Sequence, residues 1–171
     1  MRSPEKLPLL KQSIKSLLTL LRPDDQVSIV VYSGKARVAL KPTSGANVSE
    51  IIRVVDELQS DGDTDGNKGI RLAYKLANKH YLPAGNNRIV LATDEEFDIS
   101  DDVQASVAEN AQRPIFLTVF TFGKTEVNGP NLRRIAGSGK GNHVHITPAN
   151  AFRQLILEAQ AQTDFITNPK P

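Results

Sequence analysis

Four consecutive apolar residues, Ile89-Val90-Leu91-Ala92, run into Thr93 and then straight into an acidic segment, Asp94-Glu95-Glu96, with Asp98 close behind. No other stretch constrains the fold as tightly. An apolar run without alternation predicts a strand buried on both faces, as in a parallel sheet with helices on either side. A carboxylate at the carboxyl end of such a strand stands where open α/β sheets place their ligand crevice. The rest of the chain reads as two flanks of this strand at 87–94.

On the amino-terminal side, Ser3-Pro4 supplies an N-cap and an N1 proline. Leu7, Leu10, Ile14, Leu17, Leu18 and Leu21 then follow at helical spacing until Pro23. Gln26 to Tyr32 predicts a strand, Ser33-Gly34 a turn, and Ala36 to Leu40 a returning antiparallel edge strand. Asn47 caps a second helix with Ile51, Ile52, Val55 and Leu58 inward. The turn formers and carboxylates of 60–67 lead into a third helix, with Ile70, Leu72, Ala73, Leu76 and Ala77 on its inner side. On the carboxyl side come a helix at 101–112, a strand at 115–122, a short helix at 131–136, a strand at 143–146 and a helix at 148–161. Strands alternating with helices predict a three-layer, doubly wound, mostly parallel α/β sheet with an antiparallel edge hairpin. Residues 1–162 form one domain in this reading, and 163–171 a tail.

Bulk properties remove several classes. Net charge is +2 and aromatic content 5%, so there is no nucleic-acid footprint. The chain has no cysteine, which excludes disulfides and zinc-thiolate sites. No apolar run reaches the roughly 18 residues of a membrane span. A helix pattern, and not a signal peptide, follows Met1. No phosphate-cradling loop, nucleophile elbow or thiol nucleophile occurs, and the acidic cluster at 94–98 is too hydrophilic to raise a carboxyl pKa by burial. The expectation is a non-enzyme.

The element order, together with Leu7-Pro8-Leu9-Leu10-Lys11, Val27-Ser28-Ile29-Val30-Val31-Tyr32, Gly69-Ile70-Arg71-Leu72-Ala73-Tyr74 and Gly85-Asn86-Asn87-Arg88, resembles the von Willebrand factor A (VWA) family, and its bacterial members most. The likeness runs from Met1 to about Ala161. It implies a Rossmann-like fold, a protein-protein interaction module used in adhesion, and Mg2+, Mn2+ or Ca2+ at a metal-ion-dependent adhesion site (MIDAS). In the family a partner's acidic side chain completes the metal's coordination, and bacterial members often act in the periplasm or at the cell surface. Thr64 matches the family's second metal loop and Asp94 its third, with Asp63, Asp65 and Glu95 as accessory candidates. The first loop, Asp-x-Ser-x-Ser, and the central strand before it have no counterpart, because Met1 stands just past the place where that motif ends. One hydroxyl and one carboxylate hold magnesium poorly, so weak or absent binding is expected of this chain alone.

The missing strand matters as much as the missing ligands. Burying about six residues at roughly 1.5–3 kcal/mol per large side chain contributes on the order of 10 kcal/mol, against a typical domain stability of about 5–15 kcal/mol. Either the neighbouring strands close up, or the tail, a second copy or another chain fills the slot by strand exchange. A metal-independent scaffold binding by shape or strand complementation is the alternative function.

Other candidates have plainer readings. Asp61-x-Asp63-x-Asp65-Gly66 opens like a calcium loop, but its twelfth position is Leu72, inside a helix pattern. Lys68, Arg71, Lys75 and Lys79 mark the wet side of a helix. His143 and His145 share one side of a strand without a third ligand in sequence, and His80 suits a helix carboxyl end.

Overall fold

The structure is a computed structural model that describes residues 5–59, 65–125, 127, 129–155 and 157. Helix α1 (Lys6–Leu18) precedes the hairpin strands β1 (Gln26–Val31) and β2 (Arg37–Ser44), then α2 (Val48–Glu57) and α3 (Gly66–Lys79). Strand β3 (Asn87–Thr93), α4 (Asp101–Gln112), β4 (Ile115–Phe122), α5 (Pro130–Ser138) and β5 (His143–Ile146) complete the doubly wound half. The Ser3-Pro4 cap lies outside the described residues. Helix α1 ends earlier than its apolar stripe, as Thr19 and Leu20 donate to the Ser16 and Leu17 carbonyls and tighten the last turn. Of the last expected helix, residues 151–155 and 157 are described as helical.

Strand β4 is the most buried element, with all eight residues buried. It pairs in parallel with β3 on one side and β5 on the other. Leu117 and Val119 point into a core shared with α3, α4 and α5, which adds Ile70, Tyr74, Val103, Val107, Leu132 and Ile135. Phe120 and Phe122 point the other way, onto Leu9 of α1 and Leu155. This is the sandwich of helices about a parallel sheet that the sequence predicts. In α3 the buried aromatic is Tyr74, one position beyond the expected Ala73, and Leu72, Ala73, Leu76 and Ala77 are half-buried.

The sheet is not continuous. Among the described residues β1 pairs only with β2, and β3 only with β4, giving a two-stranded and a three-stranded sheet. The neighbours of the missing strand have not closed up. Val90, central in the run expected to be buried on both faces, is 45% exposed. Its burial needed a partner strand on that flank, and there is none among the described residues. The hairpin instead builds its own core from Leu40 with Leu18, Ile51, Val54 and Val55.

Candidate functional site

The acidic rim forms where β1 and β3 end. Tyr32, just past β1, donates its hydroxyl to the Ala92 carbonyl at 2.5 Å, and its own carbonyl accepts from the Asp65 amide at 3.4 Å. One tyrosine thus ties the end of β1, the end of β3 and the start of α3 together. Burial pushes its phenol well above the ordinary range. It stays a neutral donor at any physiological pH.

Asp94 follows β3 directly, and its side chain is 12% exposed. Lys6 of α1 reaches it at 3.1 Å and also approaches the Asp94 carbonyl at 3.5 Å. Burial pushes the Asp94 carboxyl up, but hydrogen bonds and charge from the cations beside it, Lys6 among them, outweigh this and hold it below the usual carboxylate range. A depressed folded pKa means stability that is present above the unfolded value of about 3.9 and is lost as pH falls through the folded value. The gap between the unfolding midpoints of the wild type and Lys6→Met is therefore expected to be widest near neutral pH and to shrink in acid. Urea titrations from neutral to strongly acid pH check this, and a gap constant with pH would remove the electrostatic explanation.

Asp65 serves α3. Its carboxylate accepts from the Lys68 amide at 3.0 Å as an N-cap and pairs with the Lys68 ammonium at 2.9 Å. The Lys68 hydrogen bonds hold its carboxyl below the ordinary range. The backbone beside Glu95 is ordered by Thr93, whose hydroxyl donates to the Glu95 carbonyl at 2.8 Å and accepts the Glu95 amide at 3.3 Å. Thr64 and Asp63 lie outside the described residues, as does most of the calcium-loop pattern. Of the five candidate residues, Asp65, Asp94 and Glu95 are described, and Tyr32 brings the backbone of Asp65 and the Ala92 carbonyl, two residues before Asp94, to one rim.

Two further acidic-rim contacts escape sequence reasoning. Glu96 accepts the Asn131 amide at 2.8 Å, so one of these carboxylates caps α5. Asn67 donates to the Asp98 carbonyl at 2.8 Å and accepts from the Ser100 amide at 3.1 Å, pinning the 94–100 loop to α3. Lys6 is the residue most easily missed, because nothing in a helix pattern says that its ammonium crosses to a strand end 88 positions away.

The described donor set does not fit a divalent ion. Among the described residues there is no group of three or more His, Asp or Glu side chains placed to hold a metal. The carboxylate of Asp94 already faces an ammonium and that of Asp65 a helix amino end, where magnesium needs a near-octahedral oxygen shell. His143 and His145 do share a side, but both rings lie on the Thr121 hydroxyl, at 3.3 and 3.0 Å, and His145 also reaches the Gly123 carbonyl at 3.1 Å. Lys68, Arg71, Lys75 and Lys79 are exposed, and Arg71 pairs with Asp102 at 2.7 Å. No described helix is long and apolar enough to cross a membrane.

Known proteins agree with this architecture. The protein YfbK of Escherichia coli (strain K12), itself uncharacterized, is 35% identical over 174 residues, covering 99% of this chain and 30% of that protein. The chain therefore spans under a third of that relative's length. A von Willebrand factor type A structure from Catenulispora acidiphila superposes with a TM-score of 0.74 at 17% identity, over 91% of this chain and 38% of that one. Proximal thread matrix protein 1 from the mussel byssus, solved with a zinc-occupied MIDAS motif, gives 0.71 at 13% identity, over 91% and 42%. At such identities the two structures speak for the fold alone. The family model for the von Willebrand factor type A domain matches residues 2–160. With a parallel half-sheet, an antiparallel hairpin and an acidic rim at the strand ends, the chain belongs to the von Willebrand factor type A domain family.

Proposed function

We propose that the chain is a non-catalytic protein-binding module whose divalent-metal site is impaired, with Lys6 holding the place of a cation at Asp94. Domains of this family typically mediate protein-protein interaction, which supports the general role. The observation that carries the finer reading is the Lys6–Asp94 pair, a 3.1 Å contact with a carboxylate that is 12% exposed. A lysine ammonium supplies a positive charge but no open coordination position, so a partner's acidic side chain meets charge without a metal bridge. Thr64 and Asp94, with Asp63, Asp65 and Glu95 around them, mark the family's metal position in this reading. Mg2+ or Mn2+ at that position is weak in this chain alone.

Calorimetric titration with MgCl2 and MnCl2 tests this. The wild type is expected to show no saturation below about 1 mM, and Lys6→Met to bind Mn2+ more tightly than the wild type. Micromolar magnesium binding by the wild type, abolished in Asp94→Ala, would restore an intact adhesion site and overturn the proposal. A metal-independent scaffold is the second reading, favoured by the open flank of the sheet. It is separated from the first by Lys6→Met, which leaves a pure scaffold silent toward metal. An extracytoplasmic location stays an expectation drawn from the family resemblance.

A further inference from the structure

The outer face of α3 carries Lys68, Arg71, Lys75 and Lys79, and the structure divides this stripe into two halves. Near the acidic rim, Lys68 pairs with Asp65 at 2.9 Å and Arg71 with Asp102 at 2.7 Å. Further along, Lys75 and Lys79 are exposed, and neither meets a carboxylate among the described residues. Directly after them, the 80–86 loop holds Leu82 at 43% exposure. We infer that this end of α3 and its loop form a second interaction surface, which takes an acidic amphipathic helix of a partner polypeptide. That helix sets two carboxylates one turn apart against Lys75 and Lys79, and covers Leu82 with apolar side chains. The 14 residues of α3 put this surface about 20 Å from the rim. It does not rest on the metal reading.

The loop fixes Leu82 in one place. The Asn87 side chain accepts from the Leu82 amide at 2.9 Å and donates to the Leu82 and Gly85 carbonyls at 2.8 and 3.1 Å. The Gly85 amide adds a bond to the Leu82 carbonyl at 2.9 Å. Gly85 lies so close that an added methyl would sit 2.9 Å from the Leu82 Cβ. A loop closed this tightly has little conformational freedom left to lose on binding, so its exposed leucine is a preorganised anchor. The two lysines set the charge pattern. They stand one turn apart, about 6 Å along the axis, which is the spacing of carboxylates at i and i+4 on a facing helix.

Other occupants fit less well. Helix α4 lies beside α3, joined to it by Asn78 and Asn110 at 2.7 Å, and exposes Asp101, Asp102 and Glu109. A flat anionic surface such as a membrane, resting on Lys75 and Lys79, meets those carboxylates as well, whereas a single helix laid along α3 avoids them. A second copy of the chain does not supply the ligand. None of its described helices carries two carboxylates four residues apart, and Asp56 and Glu57 of α2 already pair with Lys15 and Arg53. The sequence 163–171 has one acidic side chain, Asp164.

The probe is a capped, alanine-based helical peptide of about 16 residues, with glutamates at two positions four apart and leucines in the turn that follows. Its control has glutamine in place of both glutamates. Titrations of the isotope-labelled protein followed by NMR contain EDTA, which keeps the outcome separate from any metal at the rim. Saturable binding at about 0.1–1 mM is expected, with amide shifts centred on 75–86. The glutamine control is expected to bind about three- to tenfold more weakly, and Leu82→Ser to weaken the glutamate peptide about tenfold. Lys68→Gln, whose charge is already paired inside the molecule, is expected to bind like the wild type. These side chains are exposed, and matching urea midpoints check that the variants fold. The inference is overturned if the wild type shows no saturable binding, if the glutamine control binds equally well, or if Leu82→Ser binds like the wild type. Shifts centred on 94–98 overturn it too. So does binding to phosphatidylglycerol vesicles without binding to the peptide, since the surface is then a membrane contact.

Discussion

Truncating Leu117 to alanine is expected to lower the unfolding free energy by about 2–5 kcal/mol, while truncating Val90 lowers it by less than about 0.5 kcal/mol. The two positions look equivalent in sequence, each a large aliphatic inside an apolar strand. They differ because, among the described residues, β4 has a strand on both sides and β3 on only one. Leu117 is fully buried in the cluster that holds Val103, Val107, Leu132 and Ile135, so truncation leaves a cavity among packed side chains of three helices. Val90 is 45% exposed, and its methyls already face solvent. Against a total of about 5–15 kcal/mol, the Leu117 change removes a large fraction of the stability. Urea midpoints at constant m value measure both. A cost at Val90 of more than about 1 kcal/mol would show its side chain buried in solution.

This contrast marks where sequence reasoning succeeds and where it stops. The helix expected at 101–112, the strand at 115–122 and the short helix at 131–136 each carry a local signal, and each element forms within a residue or two of its expected place. Apolar pattern says which residues seek burial. It does not say whether a partner is present to bury them. Val90 is therefore misread, because among the described residues no strand lies on the side of β3 where its burial depends on one. The rim is legible in part for a similar reason. Asp94 announces itself by ending a buried strand, and Asp65 by preceding a helix. The cation that meets Asp94 comes from Lys6 through tertiary geometry alone, and no spacing rule links the two. Glu96 and Asn67 are likewise local in type but distant in partner.

Replacing Gly69 by alanine is expected to destabilise the domain by about 1–2 kcal/mol, although a helix interior normally gains about 1 kcal/mol from that change. Gly69 lies buried in α3 directly against Tyr32, and an added methyl would sit 2.7 Å from both Cβ and Cγ of that tyrosine. Those atoms are the root of the side chain, fixed to the end of β1, and not a tip that can swing away. Overpacking of this kind costs about 1–3 kcal/mol. Pushing Tyr32 also strains its hydrogen bond to the Ala92 carbonyl, which is worth about 0.5–1.5 kcal/mol. The losses exceed the propensity gain. Gly137 in α5 supplies the comparison: it is a helical glycine with nothing within 4 Å of an added methyl, so Gly137→Ala is expected to stabilise by up to about 1 kcal/mol. Thermal and urea unfolding of the two variants measure the difference, and the tyrosine signal in near-ultraviolet circular dichroism should change only in Gly69→Ala. If Gly69→Ala were as stabilising as Gly137→Ala, α3 and the end of β1 would be free to separate, and Tyr32 would not be the clasp that joins the two half-sheets.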